Sequence, residues 1–269
     1  MTTWDGILLG IVQGITEFLP ISSSGHLVLV REFFAISPVD AIAFDAVVHL
    51  ATAIAVILYF GKDLWGLVQT LLRYMGRMPV DMKNVRLMQG LLLGTIPAGL
   101  LGFFLEDIVS TYLQTAILVA LLLFASALFF IFGEWRYFKE PRQREFTLRT
   151  AFLIGCFQAV ALLPGVSRSG MTIVGGMLLG MTRHESARFS FLLAIPITLG
   201  AGAKKSIDLL GNTSQVEWGA IIVGGIFAFV VALIVIHYFL EFVRKHTLAP
   251  FIWYSVILSG VVGYFYFVS

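Results

Sequence analysis

Charge is scarce in this sequence. Asp, Glu, Lys and Arg make up 13% of its 269 residues, about half of the roughly 25% found in ordinary soluble domains. With 58% of the residues hydrophobic, a soluble fold has no interior large enough to hide them. A disordered chain, which needs low hydrophobicity and high charge, is excluded too. Cysteine is almost missing: Cys156 stands alone, so there is no intrachain disulfide framework. Net charge is only +2, which is no nucleic-acid signature. No Lys or Arg precedes the first apolar stretch and Glu17 interrupts it, so a cleaved secretory signal is not expected. These absences leave a polytopic membrane protein, in which lipid takes the place of a large core.

Four long stretches without an ionised side chain and two shorter apolar stretches then mark the spans, each of which needs roughly 20 mostly apolar residues. They predict transmembrane helices over residues 41–60, 87–105, 113–133, 187–203, 218–240 and 249–267. Asp45 and Arg188 stand near the starts of two of them, where a side chain reaches the interface. The runs are continuous rather than alternating, which argues against a β-barrel. Two further apolar segments, 6–30 and 151–180, are broken by Pro20 and a serine run, and by Pro164, Ser167, Arg168 and Ser169. Their arms are too short to cross, so each is expected to be a re-entrant helical hairpin with a polar tip.

A register shift that lays Gly10 on Gly155 also lays Gln13 on Gln158, Ser22 on Ser167, Ser24 on Ser169, Gly25 on Gly170 and Phe44 on Phe189. The expected fold is therefore all-α, six transmembrane helices plus two re-entrant hairpins in an inverted-topology repeat. It forms one integral membrane domain, with halves at about 1–134 and 148–269. Such repeats put their site near the midplane, where broken helices meet. Lys62, Arg73, Arg77, Lys83 and Arg86 crowd one loop, and Arg136, Lys139, Arg142, Arg144 and Arg149 another on the same side, joined there by Arg244 and Lys245. The positive-inside bias makes that side cytoplasmic and both termini extracytoplasmic. Arg31, Lys204, Lys205 and an acidic loop at Glu106 and Asp107 fall opposite.

The tips carry the chemistry. In the first, Gln13 and Glu17 share a helix face, Pro20 ends that helix, and Ser22, Ser23, Ser24, Gly25 and His26 form the turn before a second arm. A serine run at a helix start presents hydroxyls and N–H groups to an anion. The second tip offers Ser167, Arg168, Ser169, Gly170 and Thr172, with a guanidinium suited to phosphate oxygens. Intramembrane Glu17 and Arg168 are costly and point to function; the plainer alternative is a pair that only neutralises itself. For His26 the plainer alternative is a hydrogen-bonded packing residue. Together the tips suit a phosphate ester or anhydride. Oxygen donors at Glu17, the hydroxyls and the substrate suit Mg²⁺ or Ca²⁺ rather than zinc. A serine nucleophile would find a base in His26 or Glu17.

These residues resemble a known family. Gln13-xxx-Glu17, the stretch Pro20-Ile-Ser22-Ser23-Ser24-Gly25-His26 and Pro164-Gly165-Val166-Ser167-Arg168-Ser169-xx-Thr172 are similar to the signatures of the bacterial undecaprenyl-diphosphate phosphatases of the bacitracin-resistance type. The resemblance implies hydrolysis of undecaprenyl diphosphate to the monophosphate carrier of cell-wall synthesis. It implies dependence on a divalent cation, and a site opening outside the bacterial cytoplasmic membrane. It makes Glu17 a metal ligand or base, Ser23 a nucleophile and His26 a base or acid. Arg168 with Ser167, Ser169 and Thr172 becomes the phosphate-binding element, joined by Ser22, Ser24 and Gly25. Gln13 stands where many members have a glutamate, which the family pattern allows, so it is at most a weak metal ligand. A metal-activated water stays open as the nucleophile. Expected partners are a polyprenyl diphosphate lipid and the bilayer, with a homodimer as an open option and no nucleic acid. The competing classes are a carrier or flippase for a phosphorylated lipid, and an idle membrane scaffold, which would avoid the cost of Arg168.

Overall fold

A computed structural model describes the backbone of residues 1–36, 41–113, 115–139, 144–210 and 217–268, and their side chains except at 106–108, 110–112 and 206–210. Arg142 and the side chains of Glu106 and Asp107 lie outside the described residues. The described residues form eleven helices and no strand. Six are long and apolar enough to cross a membrane, which makes this a multi-pass helical membrane protein. They are α3 (Ala41–Tyr59), α5 (Met82–Tyr112), α6 (Ala116–Lys139), α9 (Arg183–Leu210), α10 (Trp218–Lys245) and α11 (Ala249–Val268). Each contains or overlaps an uncharged run of the sequence. Several run past it, because a capped helix continues into the interface: Asp81 caps α5 by accepting from the Lys83 N–H at 2.9 Å.

Four helices are short. α1 (Thr3–Thr16) and α2 (Ser23–Phe33) form the first segment, α7 (Leu148–Val160) and α8 (Arg168–Leu178) the second. At 14 residues α1 is about 21 Å long and at 11 residues α2 about 16 Å, below the roughly 30 Å of a bilayer core. Their starts are built from side chains. Thr2 and Asp5 make a capping box on α1, Ser22 caps α2 and Ser167 caps α8. The remaining helix, α4 (Gly61–Met75), lies in a stretch expected to be a loop. It buries Leu67 and Thr70 and carries Lys62, Asp63 and Arg73. Searching for uncharged runs cannot find such a helix, because its signal is a one-sided apolar stripe.

The short helices dock through small residues. α1 packs on α10 and α7 on α5. A Cβ on Gly6 would lie 2.2 Å from the Ala220 carbonyl oxygen, and one on Gly10 2.2 Å from that of Gly224. In the other pair, a Cβ on Gly155 would lie 2.3 Å from the carbonyl oxygen of Gly94. Backbones this close need glycine, as in small-xxx-small membrane packing. Around the second tip the largest apolar cluster gathers Phe18, Phe130, Phe191 and Phe239 with Val166, Met171 and Ile173. Phe18 and Phe191 meet edge to face at 5.1 Å between centroids. Asp45, near the start of α3, pairs with Arg31 at 2.5 Å and Lys205 at 3.6 Å.

Candidate active site

The two tips touch. A Cβ on Gly25 would lie 3.3 Å from the Gly165 Cα and 3.0 Å from Val119 of α6. Gly165 has φ +94°, and a Cβ there would meet the Val119 carbonyl oxygen at 2.5 Å. Only glycine fits that backbone and that gap. The Ser169 hydroxyl reaches across from the second tip and donates to the Leu19 carbonyl at 2.8 Å. The chain between α1 and α2 is thereby tied to the start of α8.

Glu17 sits at the meeting point with 5% of its surface exposed. It caps the C-terminal end of α1, its N–H bonded to the Gln13 carbonyl. Its Oε1 accepts from Arg168 Nη2 at 2.5 Å. Its Oε2 accepts from Ser23 Oγ at 2.7 Å and from Gln13 Nε2 at 2.8 Å. The sequence-predicted quartet Gln13, Glu17, Ser23 and Arg168 is therefore one hydrogen-bonded cluster. A pair that only neutralised itself would use up its polar atoms. Here Arg168 Nη1 and Gln13 Oε1 are buried without a partner. Unpaired buried donors and acceptors cost about 1–3 kcal/mol each, so a cluster that leaves two of them open is more than a self-neutralising pair.

His26 is placed differently from its expected role. Its Nδ1 donates to the Ser22 carbonyl at 2.7 Å. That carbonyl can only accept, so Nδ1 carries the hydrogen and neutral His26 has a bare Nε2. The Tyr254 hydroxyl of α11, 2.7 Å from Nε2, is then the donor. The two rings stack at 5.6 Å, 11° from parallel. His26 braces the turn, and Glu17, not His26, holds the Ser23 hydroxyl. Tyr254 escapes sequence reading altogether: it is 228 positions from His26 and belongs to no motif.

The other predicted phosphate ligands divide. Ser22 accepts from the Gly25 N–H at 3.3 Å and Ser167 from the Gly170 N–H at 3.1 Å, so both act as helix caps. Ser22 adopts φ +69°, a left-handed backbone that a serine holds only when its surroundings enforce it. Ser24 is exposed beside Ser22. Thr172 is fully buried and bonded to Ser190 of α9 at 2.6 Å, which pins α8 rather than presenting a hydroxyl. Gly170 makes room for the Phe130 ring, which a Cβ would approach to 2.2 Å. Among the described residues no three His, Cys, Asp or Glu side chains cluster to form a metal cage. Glu17 and the open Gln13 Oε1 are the site's hard oxygen donors besides its hydroxyls.

A buried carboxylate, a guanidinium, a hydroxyl on the carboxylate and two helix starts within a bundle of membrane spans define a membrane protein with a buried polar centre where its two tips meet. Residues 6–262 match the family model of the bacitracin resistance protein BacA. The chain belongs to that family. It is 38% identical over 262 residues to the undecaprenyl-diphosphatase of Marinobacter nauticus, covering 97% of this chain and 98% of that protein. It is 40% identical to the one of Colwellia psychrerythraea over the whole of both chains. The one of Fusobacterium nucleatum is 39% identical, with 95% of this chain and 97% of that protein covered.

Proposed function

We propose that this protein is an undecaprenyl-diphosphatase, which cleaves undecaprenyl diphosphate to undecaprenyl phosphate and inorganic phosphate. Family membership and full-length relatives of that name support the activity. The observation that carries the chemistry is the Ser23 hydroxyl bonded to a carboxylate that Arg168 also contacts. In this reading the terminal phosphate enters over the tips and draws Arg168 toward its oxygens, using the open Nη1. Ser23 Oγ attacks the terminal phosphorus while its proton passes to Glu17 Oε2. The anhydride P–O bond breaks, and undecaprenyl phosphate leaves with the electron pair. Glu17 passes that proton to the departing undecaprenyl phosphate, takes another from the water that attacks the phosphoserine phosphorus, and returns it to Ser23 Oγ as inorganic phosphate leaves. His26 and Tyr254 hold the turn that aims Ser23.

Mg²⁺ or Ca²⁺ fits the donors present, because Gln13 Oε1 is a buried oxygen with no partner beside a carboxylate. Glu17 and Gln13 would hold the ion, with Ser hydroxyls and substrate oxygens, and when bound it would neutralise phosphate charge.

The paired short helices are read as re-entrant hairpins. Their lengths support this, as does the exchange by which α1 packs on α10 while α7 packs on α5; matched partners from opposite halves are what an inverted repeat would give. Loop charge supports a cytoplasmic face at α4 and at the α6–α7 connection, with the site open to the outside of the bacterial cytoplasmic membrane.

The deciding experiment is phosphate release from undecaprenyl diphosphate by the purified protein in detergent, with and without EDTA. Release that EDTA abolishes is expected. A carrier or flippase would bind the lipid and release no phosphate.

A further inference from the structure

An apolar cavity of about 600 Å³ lies between α5 and α9. Among the described residues, Thr95 and Lys204 are its only polar lining residues; the rest are glycine, alanine, proline, phenylalanine or aliphatic. That volume is in the range of small-molecule sites. Three observations tie it to the tips. First, Leu162 forms part of its wall, and under the register that lays Gln13 on Gln158, Leu162 stands where Glu17 stands in the first tip. One tip thus offers a carboxylate at this position and the other an apolar wall. Second, α9 contributes to both places. Its Ser190 bonds Thr172 behind the tip, and Pro196, six residues on, begins the cavity about 9 Å further along the helix. Lys204, its ammonium 5.6 Å from the Phe103 ring centre, stands at the far end, about 21 Å from Ser190 along the helix. Third, the space opens to the outside of the bundle, with Gly99 and Gly200 both exposed. A Cβ on Gly99 or on Gly200 would meet nothing within 4 Å.

We propose that this cavity seats the polyprenyl tail of the lipid diphosphate and determines which chain lengths the protein cleaves well. The inference rests on the phosphatase reading above. A tail bound covalently to a diphosphate held at Arg168 is presented to the cavity at high effective concentration. A membrane acyl chain has no such tether, so the substrate's own tail is the occupant that the adjoining tip selects. Small side chains at 99 and 200 keep the channel open.

The test fills the cavity from two sides, with Gly200→Leu on α9 and Gly99→Leu on α5, and compares kcat/KM for undecaprenyl diphosphate with kcat/KM for geranyl diphosphate. The latter carries a far shorter tail, of two isoprene units. Filling a specific apolar site costs about tenfold or more, so each variant should lose that much on the long substrate, mainly through KM, and keep wild-type activity on the short one. Retained short-chain turnover certifies the fold of each variant. An equal loss on both substrates, or no loss on either, overturns the tail site and leaves the phosphatase reading standing. Wild-type protein that cleaves neither substrate overturns both.

Discussion

Replacing Arg168 with alanine perturbs two things that can be measured separately. The guanidinium pairs with Glu17 at 2.5 Å, with side-chain exposures of 14% and 4%, so solvent cannot take its place. Breaking a buried pair from one side costs about 3–5 kcal/mol, because the remaining charge is left uncompensated. Ser23 and Gln13 still donate to Glu17, which places the expected loss of stability toward the lower end. Turnover suffers for another reason. Removing one preorganised donor to developing negative charge costs about 2.7–4 kcal/mol, or about 10²–10³ in rate. Thermal unfolding in detergent reads the first effect and kcat/KM on undecaprenyl diphosphate the second. Adding Glu17→Gln to the alanine variant separates them, since a neutral amide needs no counter-charge. The double variant should regain most of the lost stability and none of the activity. An alanine variant that keeps nearly full turnover, or a double variant that regains it, would refute the reasoning and reduce the pair to a structural tie.

Three further outcomes follow from the same geometry. Ser23→Ala should lower turnover at least as far as Arg168→Ala while leaving lipid binding intact; large residual turnover would assign the attack to water with Glu17 as base. Tyr254→Phe keeps the ring stack but leaves the His26 Nε2 without its donor, a loss of about 1–3 kcal/mol in stability, visible as a lower melting temperature with a partial fall in kcat. Gly10→Ala drives a methyl group into the Gly224 carbonyl; overpacking costs about 1–3 kcal/mol, and because α1 carries Gln13 and Glu17 its displacement should cut activity as well as stability.

The spans could be read from the sequence because the bilayer sets their length and lipid tolerates few charges, so six apolar runs identify α3, α5, α6, α9, α10 and α11. α4 was hidden because its charged residues break any such run, and only its one-sided stripe marks it as helical. The centre of the site could be read as well: Gln13 and Glu17 are one helical turn apart, and Arg168 is too expensive in an apolar segment to be incidental. What could not be read was the choice each hydroxyl makes between capping a helix and facing a ligand. Ser22, Ser167 and Ser169 look alike in sequence, yet the first two cap helices and the third bonds to Leu19 across the tip. Tyr254 and Ser190 contact tip residues from distant helices. No local pattern announces such partners, because tertiary packing alone brings them together.

The central claim is that residues from both tips form one phosphate-cleaving centre. Its most direct test is inorganic phosphate release from undecaprenyl diphosphate by wild-type protein alongside Glu17→Gln from the first tip and Arg168→Ala from the second, at matched amounts of folded protein. The account predicts rapid release by the wild type and near-background release by both variants. Undiminished release by either variant would contradict it, because one tip would then suffice for the chemistry.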